Sequence, residues 1–312
     1  MSAGPGRVYH LALRDAHASA GATFGIVEGW SLPLHYGSPA AEYLALREHA
    51  IVADRSHFSR FIVSGTDATD VLDAALTGHA GELEEGRAMR AVALDERGHI
   101  ADLVLVARLG GIAYLVSGAA SRRGDTLARL QAAVRPGFEV RVDDRTEATC
   151  ALAIMGPAAA EVVASQLSES LPPRLPPMHA ATFEFHGFRA SAIRTSDTGE
   201  DGFEFMLAPA VARHLIEALG NSTTLAGQLA LDTARVEACI PAFAPRPRAR
   251  AHPGRGRPGR APRHRGRRRG PHPIGGDYRR RRAPPGGHTA AAPPVLSRSR
   301  RRDPKLRALA RT

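Results

Sequence analysis

The familiar catalytic spacings are missing from this sequence. His179 and His186 do not have the separation of a metal-ligand pair, and the other histidines of residues 1–243 are scattered, so each reads more simply as a surface or satisfied core side chain. Cys150 and Cys239 are too few and too far apart for a disulfide framework or a cysteine metal cluster. Ser56, Ser121 and Ser196 sit in no nucleophile elbow, and no Walker-type phosphate loop is present. Carboxylate and arginine chemistry remains. Glu204 follows the turn Thr198-Gly199-Glu200-Asp201-Gly202 on an expected strand. A carboxylate fixed there can accept from two adjacent donors, the plain alternative being a solvated strand residue. Arg235 can recognise a carboxylate in bidentate fashion, or else pair along its own helix with Asp232 or Glu237.

These residues must be positioned by strands and helices that the periodicity marks out. Alternating or β-branched stretches predict strands at Arg60–Ser64, Met89–Leu94, Asp102–Arg108, Ala113–Ser117 and Phe138–Val142, then at Ala151–Met155, Thr182–Phe188, Ala190–Arg194 and Phe203–Leu207. Helical spacing predicts Ser38–His49, Asp67–Leu76 with Thr66 as N-cap, and Ser121–Ala133. Two further helices are expected at Pro157–Leu167 and Pro209–Leu219, each with proline in its first turn. Asp95-Glu96-Arg97-Gly98 and Leu109-Gly110-Gly111 are turn signals, and the Pro172–Pro177 stretch reads as a rigid connection. Strands come mostly as hairpins separated by single helices. The expected class is α+β, with antiparallel sheets and packed helices in two related lobes, not a doubly wound parallel sheet.

The charge divides the chain. Of 42 Lys and Arg, 22 fall in residues 244–312 beside only two of the 31 acidic residues, so this segment carries +20 and residues 1–243 carry −9. The segment also holds 12 of the 23 prolines and a single aromatic, Tyr278. Three readings stand: a shifted-frame translation of GC-rich codons, a basic arm for nucleic acid or anionic membrane, and a solvated tail. Absent aromatic interleaving and the nearly all-Arg cations count against the arm. In each reading the segment is disordered, and function belongs to residues 1–243. No apolar run approaches a membrane span, and the Arg7–Ala20 stretch is too short and too broken by His10 for a signal peptide, so a soluble cytoplasmic protein is expected.

Several segments, in order, resemble the folate-binding family of the glycine cleavage T-protein. They are Gly29-Trp30 with Pro33 and His35-Tyr36-Gly37-Ser38; Leu44–Arg47 followed by Val52-Ala53-Asp54-Arg55-Ser56-His57; Leu94–Leu103; and Gly156-Pro157. Thr198-Gly199-Glu200-Asp201-Gly202-Phe203-Glu204 is the most distinctive, and Asp232–Ala238 completes the series. The resemblance implies two ferredoxin-like lobes, with residues 54–145 inserted between 1–53 and 146–243. It also implies a C-terminal β-barrel, in whose place Ala244-Pro245-Arg246 opens the basic segment.

The activity implied is transfer of a one-carbon unit from an aminomethyl group on the lipoyl H-protein to tetrahydrofolate. The products are ammonia and 5,10-methylenetetrahydrofolate, and no resident metal is involved. Carried over by position, Asp102 is the catalytic carboxylate, although the first residue of the family's Asp-Asp pair is Ala101 here. Glu204 and Arg235 hold the folate, and Asp197 and Arg194 lie in its binding stretch. Ser196-Asp197 replaces a Gly-Tyr, and Gly118 replaces an Asn. Other readings stay open: a superfamily relative that demethylates sarcosine or dimethylglycine or maintains iron–sulfur enzymes, a non-catalytic folate-binding module, and a nucleic-acid binder acting through the basic segment.

Overall fold

A computed structural model describes residues 7–167, 175–185 and 187–242. His186, residues 172–174 of the expected rigid connection, and the basic segment 244–312 lie outside the described residues. The chain opens with β1 (Tyr9–His10), α1 (Arg14–Ser19), β2 (Thr23–Val27), β3 (Trp30–His35), α2 (Pro39–Glu48) and β4 (Ile51–Asp54). A middle run follows: β5 (Ser59–Gly65), α3 (Ala68–Ala75), β6 (Ala88–Leu94), β7 (Ile100–Gly110), β8 (Ala113–Gly118), α4 (Arg123–Ala132) and β9 (Val140–Asp144). The last run comprises β10 (Cys150–Met155), α5 (Ala159–Leu167), β11 (Ala180–Phe185), β12 (Phe188–Arg194), β13 (Gly202–Leu207), α6 (Pro209–Leu219), β14 (Thr224–Leu225) and α7 (Gln228–Glu237).

Three sheets result. β1-β3-β2 is a small sheet, β6-β7-β8-β5-β9 is wholly antiparallel, and β11-β12-β13-β10-β4-β14 is antiparallel except for the β4–β14 edge. The middle and last runs repeat one plan: strand, helix, three-strand meander, helix, with the meander's last strand beside the first strand of the run. In the last run β4, from earlier in the chain, takes the place that β9 holds in the middle run. The α+β class with antiparallel sheets in two related lobes is therefore what the chain adopts.

The expected elements are present with small shifts that have local causes. Ser38 caps α2, its hydroxyl accepting from the Ala41 amide at 3.3 Å with Pro39 in the first turn. The cap of α3 is Asp67 rather than the expected Thr66, and Asp67 makes no side-chain cap bond, because its carboxylate accepts from the Glu139 amide at 2.7 Å. The strand expected over Thr182–Phe188 is broken: β11 ends at Phe185 and Gly187, at φ +78°, turns the chain into β12. Helix α5 begins at Ala159, after Gly156 at φ +132°, where a Cβ would stand 2.4 Å from the His49 carbonyl oxygen.

Strand alternation sorts the cores. Phe203, Phe205 and Leu207 of β13 and Cys150, Leu152 and Ile154 of β10 pack with α5 and α6. Phe61 and Val63 of β5, Val104 and Val106 of β7 and Tyr114 and Val116 of β8 pack with α3 and α4. The opposite faces of the two large sheets meet one another through Leu105, Ala107, Leu115, Ala180 and Ile193. Helices α2 and α7 cover only the β4–β10 half of the six-stranded sheet, through Leu46, Ala153, Met155, Ala230 and Ala234. The side chains at the edge of this sheet-on-sheet contact form the site.

Candidate functional site

Two adjoining cavities lie at that edge. The first, about 270 Å³, is walled by Val92 of β6, Leu103 and Leu105 of β7, Gly118 of β8 and Glu204 of β13. The second, about 340 Å³, adds His57, Gln228, Leu231, Asp232 and Arg235. Arg55, Phe58, Arg90, Leu103 and Asp197 border both. Cavities of this combined size, mostly apolar with a few convergent charges, match ordinary small-molecule sites.

Glu204 is brought to the first cavity by strand parity. Its neighbours Phe203 and Phe205 point to the helices, so Glu204 points to the opposite sheet, opposite Ala153 on β10 and Ile193 on β12. Among the described residues no group donates a hydrogen bond to its carboxylate. Burial pushes its carboxyl above the ordinary 4.5; the positive charge of Arg55 opposes the rise and Asp197 adds to it. Glu204 is half-buried, so its carboxylate stands open to the cavity with its acceptor capacity unused by the described residues.

Arg55 and Asp197 form a two-pronged ion pair, with Nη1 to Oδ1 at 3.1 Å and Nη2 to Oδ2 at 2.7 Å. The guanidinium also lies 4.4 Å over the Phe58 ring. Burial by itself would raise the Asp197 carboxyl, but the Arg55 charge overrides it and the net direction is down. The turn that presents Arg55 is set by Asp54, whose Oδ1 accepts from the Ser56 amide at 2.8 Å, and by the Ser56 hydroxyl accepting from the Ala151 amide at 2.9 Å. In the same turn His57 is buried with Nδ1 unbonded; burial, then the Arg55 charge, pushes its imidazole down to about 3, so it is neutral at physiological pH. Arg90 donates to the Ser196 carbonyl at 3.1 Å, holding the loop that carries Asp197.

The other expected site residues are placed differently. Arg235 borders the second cavity and also donates to Asp232 at 3.1 Å and to the Ile240 carbonyl at 3.1 Å, so the pairing with Asp232 along its own helix is formed. Glu237 is not its partner; it accepts from Tyr43 and Arg47. Arg194 is engaged with Asp201 at 2.9 and 2.6 Å and with the Leu175 carbonyl, and borders neither cavity. Asp102 is 1% exposed and sits on the helix-facing side of β7 with Val104 and Val106. It accepts from Thr126 Oγ1 at 2.7 Å, from the Leu103 amide at 2.8 Å and from the Ala119 amide at 3.3 Å, and burial raises its carboxyl. It borders neither cavity. Glu204, Asp197 and Arg235 are therefore brought together, whereas Asp102 and Arg194 stand behind the walls. Arg55, Arg90 and His57 were not singled out from the sequence. Arg55 and His57 stand in the Asp54–His57 motif, which could have flagged them; nothing local marks Arg90.

Comparison with known proteins bears on this arrangement. The GCVT N-terminal domain family matches residues 13–250. The chain belongs to this glycine cleavage T-protein family. An aminomethyltransferase of Thermus thermophilus is 37% identical over 236 residues, which are 74% of this chain and 66% of that protein. One from Cutibacterium acnes is 33% identical over 243 residues, 74% of this chain and 65% of the relative. The crystal structure of the glycine cleavage system aminomethyltransferase T from Bartonella henselae superposes with a TM-score of 0.69 at 33% identity, covering 74% of this chain and 63% of that one. The T-protein family chain described here thus spans just under two thirds of the length of these relatives.

Proposed function

We propose that this chain carries the tetrahydrofolate site of an aminomethyltransferase. The reaction moves a methylene from an aminomethyl group on the lipoyl arm of H-protein to tetrahydrofolate, freeing ammonia and the lipoyl thiol and giving 5,10-methylenetetrahydrofolate. The observation that carries the reading is Glu204: a half-buried carboxylate on a cavity wall, with no donor among the described residues, suits the adjacent N–H donors of a reduced pterin. Tetrahydrofolate supplies the nitrogens that take up the one-carbon unit.

The chain's residues do the rest. Leu103, Leu105 and Val92 give the pterin an apolar slot, and Arg235 at the second cavity offers its charge to the carboxylates of the folate tail. Asp102 acts from behind the wall, fixing the amides of Leu103 and Ala119, which border the second cavity. Arg194 holds the Thr198–Gly202 turn through Asp201, and Asp197 binds Arg55. Catalysis on this reading is positioning and exclusion of water, with no covalent enzyme intermediate. We further read residues 54–145 as a lobe inserted between 1–53 and 146–243.

A second reading, a folate-binding module without transfer activity, is favoured by the seclusion of Asp102 from both cavities. Incubation with tetrahydrofolate and aminomethylated H-protein separates the two. Ammonia and methylenetetrahydrofolate in equal amounts support the transferase; tetrahydrofolate binding without turnover supports the module, and no binding sinks both.

A further inference from the structure

Three guanidinium groups surround the open carboxylate of Glu204, yet none of them bonds to it. Arg60, beside Glu204 in a small side cavity, spends its nitrogens on the carbonyls of Ser56, Phe58, Thr146 and Thr149. Arg90 is bound to Thr195 Oγ1 and the Ser196 carbonyl. Arg55 differs from both, because each terminal nitrogen is held by one and the same side chain, Asp197, at 3.1 and 2.7 Å. Arg55 is 4% exposed and its Nε has no partner, so its charge is little solvated and is met by Asp197. A buried charge deprived of its partner takes the nearest alternative or destabilises the fold. Glu204, on the wall of the first cavity, is the carboxylate that acts on Arg55 most strongly after Asp197, ahead of Asp232, and is that alternative.

We infer that Asp197 is a positioning residue: by holding the Arg55 guanidinium, it keeps the Glu204 carboxylate free to accept from a ligand with paired N–H donors. The ligand class rests on the proposed function; the hold of Asp197 on Arg55 and its effect on Glu204 do not. Substitution of Asp197 hands Arg55 to Glu204 and closes the acceptor from inside the protein.

The test is a carbon-13 NMR titration of glutamate carboxyl groups in the full chain, with E204Q identifying the Glu204 signal. The charged groups facing Glu204 are Arg55, Asp197, Arg90 and Arg60. Expected is a midpoint above the ordinary 4.5 in the wild type. It falls below that value in D197N, where Arg55 has moved onto Glu204, and rises again in R55M/D197N. D197E, which keeps the charge, should resemble the wild type. A Glu204 midpoint that stays high in D197N, or falls equally in D197E, overturns the inference. So does a D197N chain that fails to fold, since Glu204 has then not taken over the guanidinium.

Calorimetry with tetrahydrofolate adds the binding side: affinity drops at least about tenfold in D197N and returns to within about threefold in R55M/D197N. Equal binding by D197N and wild type overturns the inference. A wild type that binds no tetrahydrofolate while the titration pattern holds removes the folate reading and leaves the role of Asp197 intact.

Discussion

The two large sheets share one plan and use it differently. The middle sheet, β6-β7-β8-β5-β9, lays one face on α3 and α4, and its other face is an apolar wall that presents Leu103, Leu105 and Leu115. The six-stranded sheet has α5 and α6 on one face, but its other face is divided between α2 with α7 and the middle sheet. Where that division leaves a gap, the charged residues gather. Glu204, Asp197, Arg55 and Arg235 come from the outer run and its connections, and Arg90 is the middle lobe's contribution. A repeated fold thus supplies an apolar wall from one copy and the polar recognition groups from the other. The seam between copies becomes the site because neither sheet is fully covered there.

The comparison can be broken most severely where the lobes are joined. Arg60 ties the 55–58 turn to residues 146–149, the two places at which the chain crosses between sheets, through five hydrogen bonds. R60M leaves those buried carbonyls unmet and is expected to lower stability by about 3 kcal/mol or more in urea unfolding. A loss below about 1 kcal/mol would show that the crossings hold without it.

On the middle sheet, G118A is next. A Cβ at Gly118 would lie 2.6 Å from Asp102 Oδ2 and 3.0 Å from Val104 Cγ1, so a loss of about 1–3 kcal/mol is expected. D102S/G118A should recover part of it; strict additivity would place the strain elsewhere.

The outer sheet should answer with the opposite sign. Because the Glu204 carboxyl is raised in the folded chain, the folded state holds that proton more tightly than the unfolded one, and wild-type stability falls as pH rises from 4.5 through the raised value. E204Q should remove this slope, raise stability above that window and weaken tetrahydrofolate binding by about a hundredfold. A chain that loses both stability and binding would make Glu204 an ordinary structural carboxylate. Smallest of all is R141A, which breaks an exposed pair with Asp143 whose arginine is 75% exposed; a change within about 0.5 kcal/mol sets the baseline for the others.

Much of the fold was legible in local pattern. The hairpins of both meanders, the helices that begin at Pro39 and Pro209, and the turns at Asp95–Gly98 and Leu109–Gly111 follow from alternation, capping and glycine placement. The small β1-β3-β2 sheet, α1 and the short β4 escaped because they are brief and lack alternation; β3 is buried at four successive residues and contains Pro33. The Thr66 cap failed because a loop distant in sequence claims Asp67. Residue types in the Thr198–Glu204 motif announced a binding stretch, yet two of its three acids serve the fold: Glu200 pairs with Arg47 and Asp201 with Arg194.

By itself the sequence determined most strands and helices of the two meanders, the class and the family, since these depend on periodicity and on motifs whose residues are close along the chain. Which charges meet was decided only in three dimensions. Strand alternation sends Asp102, in step with Val104 and Val106, to the helices, and Glu204, out of step with Phe203 and Phe205, to the cavity. The pairing of Arg55 with Asp197 spans 142 residues, and no local rule records it. A carboxylate's role depends on which donors reach it, and that is fixed by the packing of one sheet against another.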